Sequence, residues 1–297
     1  MRRWAKLTIG GAVLVAAAVA VGLWLTRPRI APPEALANLS GDAERGARVF
    51  DAGGCAACHA APGAQGAERL VLAGGRQFPS PFGSFSAPNI SPDPVAGIGA
   101  WRPLDLWNAL HYGTSPQRRH YYPAFPYASY VNATPQDVVD LYAYLMTLPP
   151  SDAPSRPHAL RFPFNIRAGL GLWKALYLRQ GWVLEVPPEL ERGRYLVEAL
   201  GHCGECHTPR GPLGGMRKSR WLAGAPNPSG RGRFPNITPA RLSWSQADLV
   251  EYFTSGFTPD YDSAGGEMVE VIANLSRLPK ADRAAIAAYL KAVPPVE

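Results

Sequence analysis

The residues with the clearest chemistry form two Cys-X-X-Cys-His runs, at residues 55–59 and 203–207. Two thiols about one helical turn apart can each add to a vinyl group of a haem, and the histidine that follows can ligate the iron. The chain has four cysteines in all, so both motifs together account for every one. We therefore predict two covalently attached haem c groups. The thiols expected to attach them are those of Cys55, Cys58, Cys203 and Cys206.

Other uses of paired cysteines fit this arrangement less well. A zinc ribbon places its second pair roughly 15 to 20 residues after the first, whereas almost half of this chain separates the two pairs. A thioredoxin-like redox pair needs a βαβ context, and the flanks of both motifs have helical patterns. Structural disulfides would not require a histidine directly after each pair. The spacing therefore favours haem attachment.

The segments around the two motifs repeat one another in the same order. A Glu-Arg-Gly triplet ending at Gly46 or Gly193 opens each copy, a Pro-Asn-Ile segment follows each motif, and a helical pattern with Ala-Tyr-Leu closes each copy. Because helix-interior glycine is costly, we expect both glycines to let the opening helix approach an aromatic residue of the closing helix. The repeat indicates a tandem duplication, with domains predicted at residues 38–150 and 186–297.

Residues 1–30 are predicted to form a membrane anchor. The basic residues Arg2, Arg3 and Lys6 precede an uncharged run at residues 7–25, which as a helix would be ~28 Å long. A cleaved signal peptide is the alternative, since a small-X-small pattern lies within the run, but the length of the run favours an anchor. The basic amino terminus would stay in the cytoplasm. The rest would then lie in the bacterial periplasm, where covalent haem attachment takes place.

Between the repeats, residues 151–185 mix apolar and basic side chains. We predict a strap that packs across both domains, with a membrane-surface or partner-docking segment as the alternative. The 31 prolines and 30 glycines among 297 residues predict compact helices joined by long loops. A net charge of +7 is consistent with acidic protein partners, and equally with basic anchor flanks and a basic strap that have no role in docking. Nucleic-acid binding is not expected of an exported chain.

Each half resembles a class I cytochrome c, and the whole resembles the membrane-anchored cytochrome c subunits of periplasmic alcohol and gluconate dehydrogenases. Besides the two motifs, the resemblance rests on Asn-Ile-Ser-Pro-Asp at residues 89–93, Tyr-Pro-Ala-Phe-Pro-Tyr at 122–127 and Gly-Gly-Glu-Met at 265–268. It covers essentially everything after residue 40. It implies an all-α fold, with two tandem class I cytochrome c domains after an N-terminal transmembrane helix. Those relatives often carry three haems, whereas this chain has motifs for two.

The motifs predict His59 and His207 as the proximal iron ligands. For the sixth position, aligning the two copies places Phe125 opposite Met268. The Met268 loop is where class I cytochromes present a thioether, a soft ligand that suits Fe(II). Met268 is therefore the predicted sixth ligand of the second haem. Met216, which lies soon after the second motif, is its rival.

The first haem needs a different sixth ligand, because Phe125 cannot ligate iron. His120 lies five residues earlier on the same loop and is the first choice. An open or water-bound iron is the second choice. His111, on the preceding amphipathic helix pattern, is the third. Met146 lies within the pattern of the closing helix, where core packing is its expected role.

These patterns predict a membrane-anchored periplasmic di-haem cytochrome of a respiratory chain. It would take electrons singly from a dehydrogenase or a quinol-oxidising complex and pass them toward a terminal oxidase, with the polypeptide setting haem position and potential. The alternative is a haem enzyme that uses an open or displaceable sixth site on the first haem to react with peroxide, a sulfur oxyanion or a small gas. Since no nucleophile triad, phosphate loop or dinucleotide fingerprint stands out, the electron carrier is favoured. The expected partners are redox proteins and, through the N-terminal helix, the membrane.

Overall fold

The computed structural model describes residues 2–297, and all their side chains except those of residues 2–8, 23 and 25. It begins with helix α1 (Arg2–Leu25). The helices of the first half are α2 (Ala43–Ala52), α3 (Cys55–His59), α4 (Pro103–Tyr112), α5 (Tyr127–Tyr130) and α6 (Pro135–Leu145). Helix α7 (Gly169–Tyr177) lies between the halves. The second half contains α8 (Glu191–Arg194), a π-helical turn (Tyr195–Leu200), α9 (Gly204–His207), α10 (Gln246–Ser255), α11 (Met268–Leu275) and α12 (Lys280–Ala292).

Glycines bring the opening and closing helices of each half into close contact. A Cβ added at Gly46 would lie 2.0 Å from a backbone oxygen of α6 and 2.8 Å from the Cβ of Tyr144. In the second half, a Cβ at Gly193 would lie 2.1 Å from a backbone oxygen of α12 and 2.7 Å from the Cβ of Tyr289. Any side chain at these positions would force the helices apart. The predicted packing reason for both glycines is confirmed.

Helix α6 shows how the sequence starts and buries a closing helix. The Thr134 side chain accepts a hydrogen bond from the Asp137 N–H at 3.1 Å, which satisfies one of the unpaired amides of the first turn. Val138, Leu141 and Leu145 follow at helical spacing, and all three are buried in the core. The apolar stripe therefore fixes which face of α6 points into the core.

The predicted all-α class is wrong, because the described residues also form short strands. These strands are β1 (Gln77–Ser80), β2 (Gly83–Ser86), β3 (Ala159–Leu160), β4 (Ala225–Pro226) and β5 (Arg233–Phe234). They pair antiparallel in the order β1-β2-β3 and β4-β5. Close approach makes the pairing possible, since a Cβ at Gly83 would lie 2.3 Å from the Ala159 oxygen. Extended loop segments that meet in this way satisfy their backbone groups by pairing.

The strap, residues 151–185, contacts both halves. The Lys174 ammonium donates hydrogen bonds to the carbonyls of Tyr112 and Gly113 at 2.7 and 2.6 Å, at the end of α4. The indole N–H of Trp173 donates to the Leu213 carbonyl at 2.9 Å, in the second half. Helix α7 thus holds the halves together through side chains rather than acting as a flexible linker.

Helix α1 covers the stretch predicted to be a membrane anchor. Across the part of the chain that the structure describes, no helix is both long enough and apolar enough to span a membrane, so the predicted transmembrane anchor at residues 1–30 is wrong.

The predictions that rested on this anchor fall with it. They are the transmembrane helix in the fold class, localisation by a single N-terminal anchor at the bacterial cytoplasmic membrane, and the membrane as a partner through that helix. The side chains of Arg2, Arg3 and Lys6, which were expected to orient the anchor, lie outside the described residues.

Candidate haem sites

Each Cys-X-X-Cys-His motif lies on a short helix that begins at a sharp backbone turn. Helix α3 starts after Gly54, whose φ of +60° lies in the left-handed region that glycine adopts at little cost. The second motif starts after His202, which has a φ of +40° although it is not glycine. The helical turn then places the two cysteines of each motif one turn apart. Among the described residues, no disulfide joins any of the four cysteines.

The two motif histidines make matching hydrogen bonds. Nδ1 of His59 lies 2.9 Å from the carbonyl oxygen of Pro88, and Nδ1 of His207 lies 2.8 Å from that of Pro235. A carbonyl can only accept, so Nδ1 carries the proton and donates. Nε2 of each ring therefore keeps the lone pair that an iron ligand needs. The sequence suggested a backbone carbonyl for each ring nitrogen but did not reveal which one, although the repeated Pro-Asn-Ile segments contain both of them.

Glycines hold each proline segment against its motif. The Gly74 N–H donates to the His59 carbonyl at 2.7 Å, and the Gly224 N–H donates to the His207 carbonyl at the same distance. Both glycines have φ near the left-handed region, +73° and +78°. A Cβ at Gly74 would lie 2.5 Å from the carbonyl carbon of Pro88, so no side chain fits there. The chain thus builds the same histidine support twice.

The chemistry of the donor groups fits haem c. Burial raises the pKa of the thiols of Cys55, Cys203 and Cys206 to about 12 and also raises the pKa of Cys58. Burial lowers the pKa of both motif histidines, partly opposed by their carbonyl partners. Each motif therefore offers two neutral thiols that can become thioethers and one neutral imidazole. Haem c, when bound, supplies one-electron chemistry between Fe(III) and Fe(II).

The structure preserves the equivalence of Phe125 and Met268. An isolated β-bridge precedes each of them, Thr114 with His120 in the first half and Phe257 with Ser263 in the second. Met268 is the first residue of α11, and its half-buried side chain packs against the core. Phe125 likewise packs against the core. Met268 stays the predicted sixth ligand of the second haem.

His120 is engaged elsewhere in this structure. Its Nε2 lies 2.9 Å from the Thr26 carbonyl, to which it donates, and its own carbonyl accepts from Arg167 at 2.7 Å. Its Nδ1 is buried without a hydrogen-bond partner among the described residues. To ligate iron, His120 would have to give up the Thr26 contact or use Nδ1. The assignment of His120 as the sixth ligand of the first haem stays a prediction.

The other residues considered as sixth ligands lie in different surroundings. His111 is buried and stacks on the Trp107 ring with centroids 4.4 Å apart. The backbone of Met216 forms an isolated bridge with Arg210, and its side chain packs against the core. Met146 is the C-cap of α6 and also packs against the core, as expected from its place in the sequence.

Comparison with known proteins places the chain in a family. Residues 43–149 match the cytochrome c family. Over 299 aligned residues the chain is 62% identical to a di-haem cytochrome c-type protein of Cereibacter sphaeroides, with all of both chains covered. The chain belongs to the di-haem c-type cytochromes. This cytochrome therefore carries two covalently attached haem c groups, and that prediction is confirmed.

The cytochrome is also similar to dehydrogenase subunits, as the resemblance predicted. It is 43% identical over 260 residues to the fructose dehydrogenase cytochrome subunit of Gluconobacter japonicus, a match that covers 84% of this chain and 52% of that one. It is 34% identical over 269 residues to the cytochrome c subunit of the alcohol dehydrogenase (quinone) of Gluconacetobacter polyoxogenes, covering 85% and 56%. The cytochrome thus spans about half the length of these two subunits.

Proposed function

We propose that this di-haem cytochrome is the electron-transfer subunit or partner of a dehydrogenase. It accepts electrons one at a time and passes them toward a terminal oxidase, as part of a respiratory chain in the periplasm. Each of the predicted domains, residues 38–150 and 186–297, holds one haem c. The residues proposed to attach and ligate the haems are Cys55, Cys58 and His59 in the first half and Cys203, Cys206 and His207 in the second.

The main observation behind the proposal is that the same kind of hydrogen bond holds each of the two motif histidines. A hydrogen bond from Nδ1 to the Pro88 or Pro235 carbonyl fixes the ring and raises the basicity of Nε2, which strengthens a permanent axial ligand. A protein that shuttles electrons needs such fixed ligation, because changes in coordination would slow each transfer. The similarity to cytochrome subunits of fructose and alcohol dehydrogenases supports a dehydrogenase as donor.

Reduction by a dehydrogenase tests the proposal. The oxidised holo-protein is mixed in turn with the catalytic subunits of fructose, alcohol and gluconate dehydrogenases and their substrates, and the visible absorption of the haems is followed. We expect one of these donors to reduce both haems, with one electron taken up by each. Mixtures without substrate are the control. If dithionite reduces both haems and none of the three donors does, a dehydrogenase donor of these classes is excluded.

A haem enzyme is the second candidate, and Phe125 is the observation that favours it. Phe125 occupies the place of Met268 and packs 5.9 Å from the Tyr130 ring, so the first half presents no thioether at that position. An optical spectrum with and without carbon monoxide separates the candidates. Ready carbon monoxide binding by the unaltered protein, together with peroxide turnover, would support the enzyme. Unchanged spectra would support the electron carrier.

A further inference from the structure

The two haem-attachment motifs meet at a junction between the halves. Nε2 of His202 lies 3.3 Å from the carbonyl oxygen of Gly53 and donates to it, since a carbonyl can only accept. Gly53 comes two residues before Cys55, and His202 comes directly before Cys203. One hydrogen bond therefore joins the starts of both motifs.

Tyr130 completes the junction from the first half. Its hydroxyl donates to the same Gly53 carbonyl at 3.1 Å, and its ring stands edge-on to the His202 ring with centroids 5.5 Å apart. One residue earlier, the Ser129 hydroxyl donates to the carboxylate of Glu205 at 3.2 Å, inside the second motif. Helix α5 of the first half is thus tied to the second attachment motif by contacts at two successive residues.

The thiols lie close to this junction. A Cβ at Gly53 would lie 3.6 Å from the sulfur of Cys55, and a Cβ at Gly201 would lie 3.7 Å from the sulfur of Cys203. The same Cβ at Gly201 would lie 3.7 Å from the Ala52 carbonyl, so the two glycine segments face each other across the halves. A shift at the junction would therefore move both attachment points.

Comparison of the repeats shows that the aromatic pair is not needed to build a motif. Aligning the cysteines places Gly54 opposite His202, and aligning Phe125 with Met268 places Ala273 opposite Tyr130. The first motif begins at Gly54, where an added Cβ would lie 3.6 Å from the amide nitrogen of Asn274. One copy thus starts its motif with glycine, whereas the other places an imidazole there.

The backbone at His202 supports a specific use of that imidazole. Its φ of +40° falls in the left-handed region, which is uncommon and costs some energy for residues other than glycine, although histidine, like asparagine and aspartate, adopts it more often than most. Glycine at this position would avoid the cost, as Gly54 does in the first motif. Strain that persists in a structure points to a role for the side chain that maintains it.

We propose that His202 and Tyr130 are positioning residues that lock the two attachment motifs to each other and thereby fix the relative placement of the two haem c groups. The inference rests on the proposed electron-transfer function, because only a protein whose haems exchange electrons needs their separation held constant. The residues proposed to ligate iron are separate from this pair, so its expected effect is on placement and not on ligation.

The test uses the full-length holo-protein and needs no dehydrogenase, so it can fail independently of the proposed donor. His202→Gly removes the ring while relieving the backbone strain, and Tyr130→Phe removes only the hydroxyl. Two readouts are used. Pulsed electron paramagnetic resonance gives the distribution of iron–iron distances, and photoreduction by an external sensitiser gives the rate at which an electron redistributes between the haems.

We expect His202→Gly to broaden the distance distribution and to lower the redistribution rate about tenfold, because shifts of about 1 Å strongly affect rates that depend on positioning. Tyr130→Phe should have a smaller effect in the same direction. The matched control is Tyr142→Phe, which removes a 2.7 Å hydroxyl bond to the Trp101 carbonyl within the first half and should change neither readout.

Partial rescue separates positioning from folding. His202→Asn keeps an N–H donor and tolerates the left-handed backbone. Its distance distribution and its redistribution rate should therefore lie between those of the wild type and those of His202→Gly. If the His202→Gly protein does not acquire its haems, the proposal is tested by comparing His202→Asn and Tyr130→Phe with the control Tyr142→Phe. Distance distributions and rates equal to those of the wild type in the junction variants would overturn the proposal.

Discussion

Gly193 lies so close to Tyr289 that a Cβ at position 193 would come within 2.7 Å of the tyrosine Cβ. We predict that Gly193→Ala lowers the free energy of unfolding by about 1–3 kcal/mol, the usual cost of overpacking a closely fitted contact. The better helix propensity of alanine, at most about 1 kcal/mol, offsets only part of that loss. Chemical denaturation of the holo-protein measures the difference.

Gly169→Ala is the matched control for this prediction. Gly169 is the first residue of α7, and an added Cβ meets no atom within 4 Å. The substitution should leave the free energy of unfolding unchanged or raise it slightly, since it reduces the freedom of the unfolded chain. Equal effects of the two substitutions would contradict the close contact at Gly193.

Met268 gives a prediction about the spectrum of the second haem. If its sulfur is the sixth ligand, Met268→Ala should abolish the weak sulfur-to-iron band in the far red and lower the potential of that haem, because a thioether favours Fe(II). A redox titration followed by absorption measures both effects. Met216→Ala is the control and should leave the band intact, and the reverse pattern would make Met216 the ligand.

Glu198 should make the stability of the second half depend on pH. Its carboxylate accepts hydrogen bonds from the amides of Val183 and Leu184, at 2.5 and 3.2 Å, and from the Tyr289 hydroxyl. Burial raises the pKa of Glu198 above its ordinary value of 4.5, despite these bonds. The folded state then binds more protons than the unfolded state, so stability falls as pH rises from about 4.5 through the folded pKa.

Glu198→Gln should flatten this pH dependence, since the amide does not titrate, while lowering stability by about 1–3 kcal/mol because its NH₂ group faces a donor. Denaturation curves from pH 4 to 7 measure the slope.

Asp140→Asn is the contrasting variant. Burial alone would raise the pKa of Asp140, but hydrogen bonds from Arg45, the Asp42 N–H and Gln136 outweigh burial and lower it. The stability that the ionised Asp140 contributes is therefore lost as pH falls. If Glu198→Gln and Asp140→Asn changed the pH dependence of stability in the same direction, the assignment of opposite pKa shifts to the two groups would be refuted.

Much of the site follows from local sequence. The spacing of Cys55, Cys58 and His59 alone predicts thioether attachment and a proximal ligand, because the chemistry acts within one helical turn. The repeat predicted the equivalence of Phe125 and Met268, and the glycines predicted the close helix pairs. The anchor predicted at residues 1–30 and the all-α class were wrong, since an apolar run does not by itself determine a span and loop composition does not reveal which extended segments will pair.

The sequence by itself determined that this chain has two haem-attachment motifs in duplicated halves, because those signals depend on residues a few positions apart. Only the tertiary structure decided which carbonyls hold the motif histidines, that His120 contacts Thr26, and that His202 reaches Gly53. The physical reason is sequence separation. Contacts between residues 28 to 149 positions apart depend on how the helices and loops pack, and packing is a property of the whole chain that no local pattern encodes.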